Sequence, residues 1–324
     1  MLRNNILLTF SDYGEKSDIG IYKKKKSREV IPVENINFIT NESKIIARNL
    51  LNWIIVNNIN SIYNYDLKVG VFNHVAIRNN ENNEYLVELY LKDINDIIIN
   101  RLKFWNWSSF NVSSVYYQLE KGNTNEFRNE YNFLWGDRYL KYKIVDCIIS
   151  IKAGCFFQTN NVILQVMYND IVNYLMQNSS YTFLDLYCGV GIMSLLVSNK
   201  FKSCIGIEVN PNSIDIANYN KIDNNIKNCN FICDTVEDII DEIIDNVDLT
   251  DLVIFVNPPR RGLYKNVIKK LNSIKNKTKQ ILYLSCCKKT LDRDLRLFSY
   301  DSKILKEYEM FPNTSHKEYL VLLY

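Results

Sequence analysis

Two different rhythms of apolar and polar residues divide the chain near residue 155. In the first half, short apolar or alternating runs are separated by polar, turn-like segments such as residues 78–83, a pattern typical of strands and hairpins. One longer stretch, residues 42–57, has apolar positions at helical spacing and predicts an amphipathic helix. We therefore expect a small α+β domain dominated by an antiparallel sheet over residues 1–154, with strands in 19–22, 74–78, 85–91, 112–119 and 139–144.

In the second half, apolar runs of strand length alternate with segments of helix length. This order predicts an α/β domain with a doubly wound, Rossmann-like parallel sheet over residues 155–324. We expect the last run, residues 319–324, to form a further strand at the carboxyl edge of that sheet. The other predicted strands are 182–187, 204–210, 230–234, 251–257 and 281–284, and the predicted helices are 160–177, 192–200, 213–224, 235–244 and 264–275.

The composition is that of an ordinary globular protein, with 324 residues of which 47% are hydrophobic and 23% are charged. A net charge of +3 is too mild to indicate a nucleic-acid partner by itself. Basic residues nevertheless cluster twice, in residues 23–28 and 265–279. Such runs are solvated faces in many proteins, and phosphate contact is the alternative interpretation.

The cysteines predict no metal site. None of the eight occurs before Cys147 and no C-x-x-C pair exists, so we expect neither zinc nor an iron–sulfur cluster. The first residues, MLRNNILLTF, do not have the apolar core of a signal peptide, and no apolar run reaches the length of a membrane span. Together with unpaired thiols, these features favour a cytoplasmic protein without a membrane partner.

A glycine motif follows the first predicted strand of the second half. The segment Asp185–Gly191 (DLYCGVG) closes that strand, and its glycines at 189 and 191 let the backbone turn tightly beside a ligand. Glu208 ends the next strand, where a carboxylate suits ribose hydroxyls, and Asp234 after the third strand suits an adenine edge. The order fits S-adenosylmethionine and NAD sites alike, and the short glycine motif with Asp185 before it favours S-adenosylmethionine.

The fourth predicted strand of this half ends at Asn257-Pro258-Pro259-Arg260-Arg261-Gly262. Two prolines make a stiff loop that would fix the Asn257 side chain for a hydrogen bond to a base or an amine. The arginines suit phosphates. An ordinary turn would also explain the prolines.

The strand at 281–284 leads into Ser285-Cys286-Cys287-Lys288-Lys289. A thiol at the carboxyl end of a parallel strand faces the crevice where α/β enzymes bind ligands, and nearby lysines can lower its pKa toward the thiolate. Cys286 is therefore a candidate nucleophile. The alternative is a buried cysteine that only packs.

Five segments, in order, resemble motifs of the RNA uracil-5-methyltransferase family, which makes 5-methyluridine in tRNA or 23S rRNA. Weaker similarity extends to residues 2–12 (LRNNILLTFSD), so the resemblance covers most of the chain. The five segments are 156–160 (F-x-Q-x-N), 185–191 (D-L-Y/F-C-G-x-G), 257–262 (D/N-P-P-R-x-G), 285–294 (S-C-N-P-x-T-L-x-x-D) and 310–318 (M-F-P-x-T-x-H-x-E).

The resemblance implies covalent catalysis on RNA. Cys286 would add to C6 of uracil so that C5 attacks the sulfonium methyl, and Glu318 would remove the C5 proton. His316 is implied to hold Glu318, and residues 1–154 to recognise RNA. The implied S-adenosylmethionine contacts are Gln158, Tyr187, Gly189, Gly191, Glu208, Asp234 and Asn257, and the implied substrate contacts are Phe156, which would stack on the target base, Asn257 and Arg260.

Several positions depart from the family pattern. Cys287-Lys288 replaces the usual Asn-Pro after the nucleophile, so Cys287 could interfere or substitute. Asn257 stands where much of the family has Asp, and the form NPPRRG resembles the branch that modifies 23S rRNA. Since the iron–sulfur cysteines and the amino-terminal RNA-binding barrel of many members do not occur here, we expect a minimal version.

Two other functions stay open. N-P-P is typical of methyltransferases that act on an amino group of adenine or guanine, although Arg260 stands where those enzymes usually have an aromatic residue. A catalytically inactive RNA-binding relative would keep the fold, but it has no chemical reason to keep both Cys286 and Glu318. Whichever function applies, we expect the protein to be a monomer.

Overall fold

The computed structural model describes residues 2–12, 17–24, 29–57, 62–120, 130–155, 157–158, 160–175, 177–310 and 317–324. The chain divides into two compact units. The first unit comprises Met1–Lys141, Lys152–Gly154 and Thr159–Asn161, and the second comprises Tyr142–Ile151, Cys155–Gln158 and Val162–Tyr324. The boundary predicted at 154/155 lies within the stretch where the chain alternates between the two units.

The first unit contains one seven-stranded sheet with the order β3-β2-β1-β4-β5-β6-β7. The strand pairs are antiparallel except β5 and β6, which are parallel because a helix and a 3-10 turn cross between them. Its elements in chain order are β1 (Asn5–Ser11), β2 (Asp18–Tyr22), β3 (Val30–Pro32), α1 (Asn41–Val56), β4 (Phe72–Asn79), β5 (Tyr85–Leu91), α2 (Asp96–Lys103), β6 (Val112–Leu119) and β7 (Tyr131–Gly136).

The predicted amphipathic helix is confirmed as α1. Thr40 caps it by accepting a hydrogen bond from the Ser43 N–H at 3.1 Å, which satisfies one of the free donors of the first turn. Its apolar side, which includes Ile46, Leu50 and Ile54, is buried in one core together with the strands. The mainly antiparallel sheet is likewise confirmed, but the strand predicted at 139–144 is not part of it, because Leu140–Ile144 pairs in a separate two-stranded sheet.

The second unit contains a seven-stranded sheet with the order β12-β11-β10-β13-β14-β16-β15, and β8 pairs with β9 in a separate two-stranded sheet. Neighbouring strands from β12 to β14 are parallel. Its elements are β8 (Leu140–Ile144), β9 (Cys147–Ile151), α3 (Asn161–Tyr174), β10 (Asn178–Leu186), α4 (Ile192–Val197), β11 (Phe201–Glu208), α5 (Pro211–Asp223), β12 (Cys229–Cys233), α6 (Val236–Asp245), β13 (Leu252–Val256), α7 (Lys265–Ser273), β14 (Gln280–Ser285), α8 (Lys288–Leu297), β15 (Ser302–Tyr308) and β16 (Glu318–Leu323).

The Rossmann-like fold predicted for this half is confirmed, with one correction at its carboxyl-terminal side. The last strand, β16, does not lie at the edge of the sheet, because it inserts antiparallel between β14 and β15. The edge strand β15 was not predicted. Its sequence SKILKEY has lysines at 303 and 306 and is mostly exposed, as suits an edge that must avoid pairing with other chains.

Five parallel strands of the second unit end at the same edge of the sheet. The residue at or just after each end is Tyr187, Glu208, Asp234, Asn257 or Cys286. Because ligands of open α/β sheets bind outside the carboxyl ends of the strands, this edge is where a site is expected.

Among the described residues, no helix is long and apolar enough to cross a membrane.

Candidate active site

The loop after β10 has a backbone that its glycines allow. Tyr187, Gly189 and Gly191 all have positive φ, at 64°, 55° and 82°. A Cβ on Gly191 would lie 2.6 Å from Cζ of Phe231, whereas a Cβ on Gly189 would meet no atom within 4 Å. Gly191 is thus required for packing, and Gly189 leaves open space beside the loop.

Glu208 supports this loop from the neighbouring strand. Its Oε2 accepts a hydrogen bond from the Gly189 N–H at 3.2 Å, and its Oε1 accepts one from the Asn210 N–H at 2.9 Å. Asp234 lies exposed at the end of β12, where its N–H donates to the Glu208 carbonyl oxygen at 3.1 Å. Two carboxylates therefore border the loop on the side where the sequence predicted ribose and adenine contacts.

Asp185 anchors the other side of the loop. This fully buried carboxylate accepts hydrogen bonds at Oδ2 from the Ser194 N–H at 3.1 Å and from the Ser194 hydroxyl at 2.8 Å. Burial raises the pKa of Asp185 to about 7, and the two bonds from Ser194 oppose that rise. The strand end is thereby tied to the first turns of α4.

Tyr187 has a partner that sequence reasoning missed. Its hydroxyl donates to Oε1 of Glu237 at 2.8 Å, and Arg261 Nη2 lies 3.9 Å from the same oxygen. Burial and Glu237 together raise the pKa of Tyr187. Nothing in the acidic run of α6 distinguishes Glu237 from its neighbours, because only the fold brings it next to Tyr187.

Cys286 and Glu318 are brought together by the register of β14 and β16. The ladder ends with the pairs Leu284 with Leu320 and Ser285 with Tyr319. Cys286 therefore directly follows the last paired residue of β14, and Glu318 directly precedes that of β16. The electrostatic interaction between the Glu318 carboxylate and the Cys286 thiol agrees with this proximity.

Glu318 is a carboxyl group in an apolar setting, only 2% exposed. Burial raises its pKa to about 7, while a hydrogen bond from Gln158 and the charge of Arg260 oppose the rise. That bond is long, with Gln158 Nε2 3.4 Å from Glu318 Oε1. The buried Oε1 of Gln158 has no hydrogen-bond partner within the described part of the chain, so it is an acceptor available to a ligand.

The pKa values of the two adjacent thiols, Cys286 and Cys287, are shifted in opposite directions. The pKa of Cys286 is raised, first by burial and then by the Glu318 charge, with Arg260 opposing. The pKa of Cys287, at the start of α8, is lowered, chiefly by the hydroxyl and N–H of Thr290. The expectation that lysines lower the pKa of Cys286 is therefore wrong. Arg260 is the cation that acts on it, and Lys288 pairs with Asp292 instead.

The remaining predicted residues occupy the same unit where they are described. The half-buried Asn257 is held through its N–H, which donates to the Leu186 carbonyl oxygen at 3.2 Å. Phe156 and His316 lie outside the described residues. Gly189 with its open space, Glu208 beneath it and the unpartnered Gln158 oxygen fit an S-adenosylmethionine site.

The second unit is a Rossmann-like α/β domain whose strand ends carry a glycine loop, a free cysteine and a buried carboxylic acid. The sequence profile described as tRNA (Uracil-5-)-methyltransferase matches residues 134–324. An uncharacterized RNA methyltransferase of Clostridium acetobutylicum is 30% identical over 332 residues, which cover 99% of this chain and 71% of the relative. One of Fusobacterium nucleatum is 30% identical over 328 residues, covering 99% of this chain and 69% of the relative.

A solved structure shows the same fold. The Pyrococcus abyssi tRNA (uracil-54, C5)-methyltransferase, in complex with S-adenosyl-L-homocysteine, superposes with a TM-score of 0.81 at 21% identity, covering 99% of this chain and 76% of that one. The chain belongs to the tRNA (uracil-5-)-methyltransferase family. It is accordingly an RNA methyltransferase that uses S-adenosylmethionine.

Proposed function

We propose that this enzyme methylates C5 of a uridine in tRNA or 23S rRNA through a covalent bond between Cys286 and C6 of the base. The observation that carries the proposal is the proximity of Cys286 and Glu318, which flank the last pair of the β14–β16 ladder and interact electrostatically. A methyltransferase that acts on an amino group needs no thiol. A thiol near a carboxylic acid is what covalent methylation of uracil C5 requires.

The first step forms a bond between sulfur and carbon. The Cys286 thiolate adds to C6, and the electron pair of the C5–C6 double bond moves into an enolate over C5, C4 and O4. Arg260, whose positive charge opposes the raised pKa of Cys286, favours the thiolate. Asn257 presents both donors and an acceptor, which suits N3–H and O4 of uracil, and Phe156 would stack on the base.

S-adenosylmethionine supplies an electrophilic methyl group to C5. The chain would hold it at the strand ends already described. Gly189 leaves the open space, Glu208 and Asp234 suit the ribose and the adenine edge, and Gln158 offers a buried acceptor. The remaining contacts are expected from Tyr187, Gly191 and Asn257.

Glu318 completes the reaction. After methyl transfer, C5 carries both the methyl group and a proton, and the Cys286 sulfur is still bonded to C6. Glu318 accepts that proton, the C5–C6 double bond re-forms and the thiolate leaves. A pKa of about 7 suits a base that works near neutral pH, because both protonation states are then accessible.

Neither RNA class is preferred by the site itself. The family description and the Pyrococcus neighbour name tRNA, whereas the NPPRRG loop resembles the rRNA branch. In the second basic cluster, Lys270 pairs with Asp241 and Asp245, while Lys265 and Lys269 are exposed and suit phosphates. We expect the enzyme to act as a monomer in the cytoplasm.

Trapping with 5-fluorouridine tests the mechanism. Fluorine at C5 cannot leave as a proton does, so RNA containing 5-fluorouridine should stay bonded to the protein after denaturation in the presence of S-adenosylmethionine. We expect an adduct that peptide mass spectrometry maps to Cys286, that Cys286→Ala abolishes and that Cys287→Ser retains. Separate tRNA and rRNA pools identify the substrate class.

Two outcomes would overturn the proposal. An adduct on Cys287 would move the nucleophile by one residue. No adduct with either pool, from protein that binds the cofactor, would favour the amino-group reaction or an inactive RNA-binding protein.

A further inference from the structure

Helix α8, which follows the two thiols, also makes hydrogen bonds to the loop that carries Asn257 and Arg260. Thr290 donates its hydroxyl proton to the Arg260 carbonyl oxygen at 3.0 Å. Arg293 Nη2 donates to the carbonyl oxygens of Arg261, at 2.9 Å, and Leu263, at 3.2 Å. Two side chains of α8 that lie one helical turn apart thus fix the carboxyl-terminal half of this loop.

Asp294 makes the central contacts between α8 and this loop. It is fully buried, and its Oδ2 accepts hydrogen bonds from the Leu263 N–H at 2.8 Å and from the Tyr283 hydroxyl at 2.7 Å. Its Oδ1 pairs with Arg293 Nη2 at 2.6 Å. Gly262 has a φ of 74°, and a Cβ there would collide with the Asp294 carboxylate, so the loop and the carboxylate fit only with glycine at 262.

We propose that Asp294 is a positioning residue that holds Arg260 beside Cys286 and Glu318. One carboxylate joins the loop, through Leu263, to strand β14, through Tyr283, and β14 leads directly into Cys286. The inference rests on the proposed function only in taking Cys286 as the nucleophile.

Three charged or titratable groups act on the Cys286 thiol: Glu318 from β16, Arg260 from the loop, and Cys287 beside it. Arg260 is the one cation among them, and it also opposes the raised pKa of Glu318. Arg260 is an exposed residue, so a loop released from Asp294 would let its guanidinium move away from Cys286. Cys286 would then lose the charge that favours its thiolate.

The pH dependence of cysteine alkylation measures how readily Cys286 forms its thiolate, and it needs no RNA. In the full-length protein with Cys287→Ser, the rate of iodoacetamide reaction at Cys286 is followed against pH by peptide mass spectrometry. Asp294→Asn should move the midpoint to higher pH, in the same direction as Arg260→Met. The double variant should shift it no further than Arg260→Met alone, because both act through one guanidinium.

Methylation kinetics give the second readout. Asp294→Asn should lower kcat about tenfold or more while KM for S-adenosylmethionine changes little, since a displaced positioning group slows chemistry rather than cofactor binding. The proposal fails if Arg260→Met moves the alkylation midpoint and folded Asp294→Asn does not. Failure of the fluorouridine adduct would instead contradict the proposed function and leave the alkylation result interpretable.

A milder pair keeps the test possible if Asp294→Asn does not fold. Arg293→Met removes the bonds to the Arg261 and Leu263 carbonyl oxygens from a half-exposed side chain, and should shift the midpoint in the same direction by less. Arg296→Met, on an exposed position of the same helix, is the matched control and should leave the midpoint unchanged. Equal behaviour of the two variants would overturn the proposal.

Discussion

Cys286 and Glu318 flank the last pair of the antiparallel β14–β16 ladder, Ser285 with Tyr319, and the Glu318 charge acts on the Cys286 thiol. The ladder that orders the edge of the sheet therefore also sets the spacing between a thiol and a carboxylic acid. The pairing depends on β16 running between β14 and β15. A strand at the edge next to β12 would have placed Glu318 on the far side of the sheet.

The two groups influence each other unequally, for a physical reason. The Glu318 charge raises the pKa of Cys286, whereas the thiol is not among the causes that raise the pKa of Glu318. Glu318 titrates near pH 7, where the thiol is still neutral, so it feels no charge from Cys286. Forming the thiolate is therefore easiest while Glu318 is protonated, and proton removal needs it ionised.

Glu318→Gln should trap the enzyme on its natural RNA. The amide cannot accept the C5 proton, so the thiolate cannot leave once the methyl group has been transferred. We expect turnover to fall by about two to four orders of magnitude. A methylated protein–RNA adduct should survive denaturation, as seen by gel electrophoresis with a labelled methyl group.

Glu307→Gln is the matched control for this variant. Glu307 is an acid of the neighbouring strand that is partly exposed and pairs with Lys317 at 3.0 Å. It should turn over normally and leave no adduct. Normal turnover by Glu318→Gln would exclude Glu318 as the base.

Glu318→Gln should also stabilise the free protein at high pH. Glu318 has a folded pKa of about 7 against an ordinary value of 4.5, so its contribution favours folding below pH 4.5 and is lost as the pH rises through 7. Glutamine removes the cost of the buried charge. The gain in unfolding free energy should be about 3 kcal/mol well above pH 7 and vanish below pH 4.5.

Denaturant unfolding of both proteins across this pH range provides the measurement. Asp185, also with a pKa of about 7, is present in both proteins and cancels in the difference. A difference between wild type and Glu318→Gln that does not change with pH would mean that Glu318 is not a buried acid in solution.

The glycine loop separates folding from cofactor binding. Gly191→Ala puts a Cβ 2.6 Å from the Phe231 ring at a positive φ, which should cost about 1–3 kcal/mol of stability. Gly189→Ala meets no protein atom, so only its positive φ of 55° should cost stability, about 1 kcal/mol, while its methyl group fills the space expected for the cofactor. Thermal unfolding should show the larger loss of stability in Gly191→Ala. Calorimetric titration with S-adenosyl-L-homocysteine should show the larger loss of affinity in Gly189→Ala. Equal loss of affinity and stability in both variants would contradict this division.

The sequence predicted the parallel part of the second unit because apolar runs of strand length, such as Leu252–Val256, alternate there with segments of helix length. It did not predict β15, whose lysines hide a strand at an exposed edge, or the central place of β16, which depends on pairing across the sheet. The sequence predicted Cys286 and Glu318 as the catalytic pair, but it predicted the wrong direction for the pKa shift of Cys286. That direction depends on burial and on Arg260, neither of which sequence spacing reveals. Glu237 could not be foreseen for the same reason.

Cys287 should be the more reactive of the two thiols, whereas Cys286 should be the one that turnover requires. Near neutral pH, iodoacetamide should modify Cys287 before Cys286 in the free wild-type enzyme, because the pKa of Cys287 is lowered and that of Cys286 is raised. Turnover should nevertheless survive Cys287→Ser within about threefold and be lost in Cys286→Ala, since Cys286 is the thiol that follows the last ladder pair and interacts with Glu318. Peptide mass spectrometry of briefly alkylated protein, paired with methyl-transfer rates, tests both halves. Loss of turnover in Cys287→Ser with an intact fold would make the more reactive thiol the nucleophile and would remove the functional meaning of the ladder pairing.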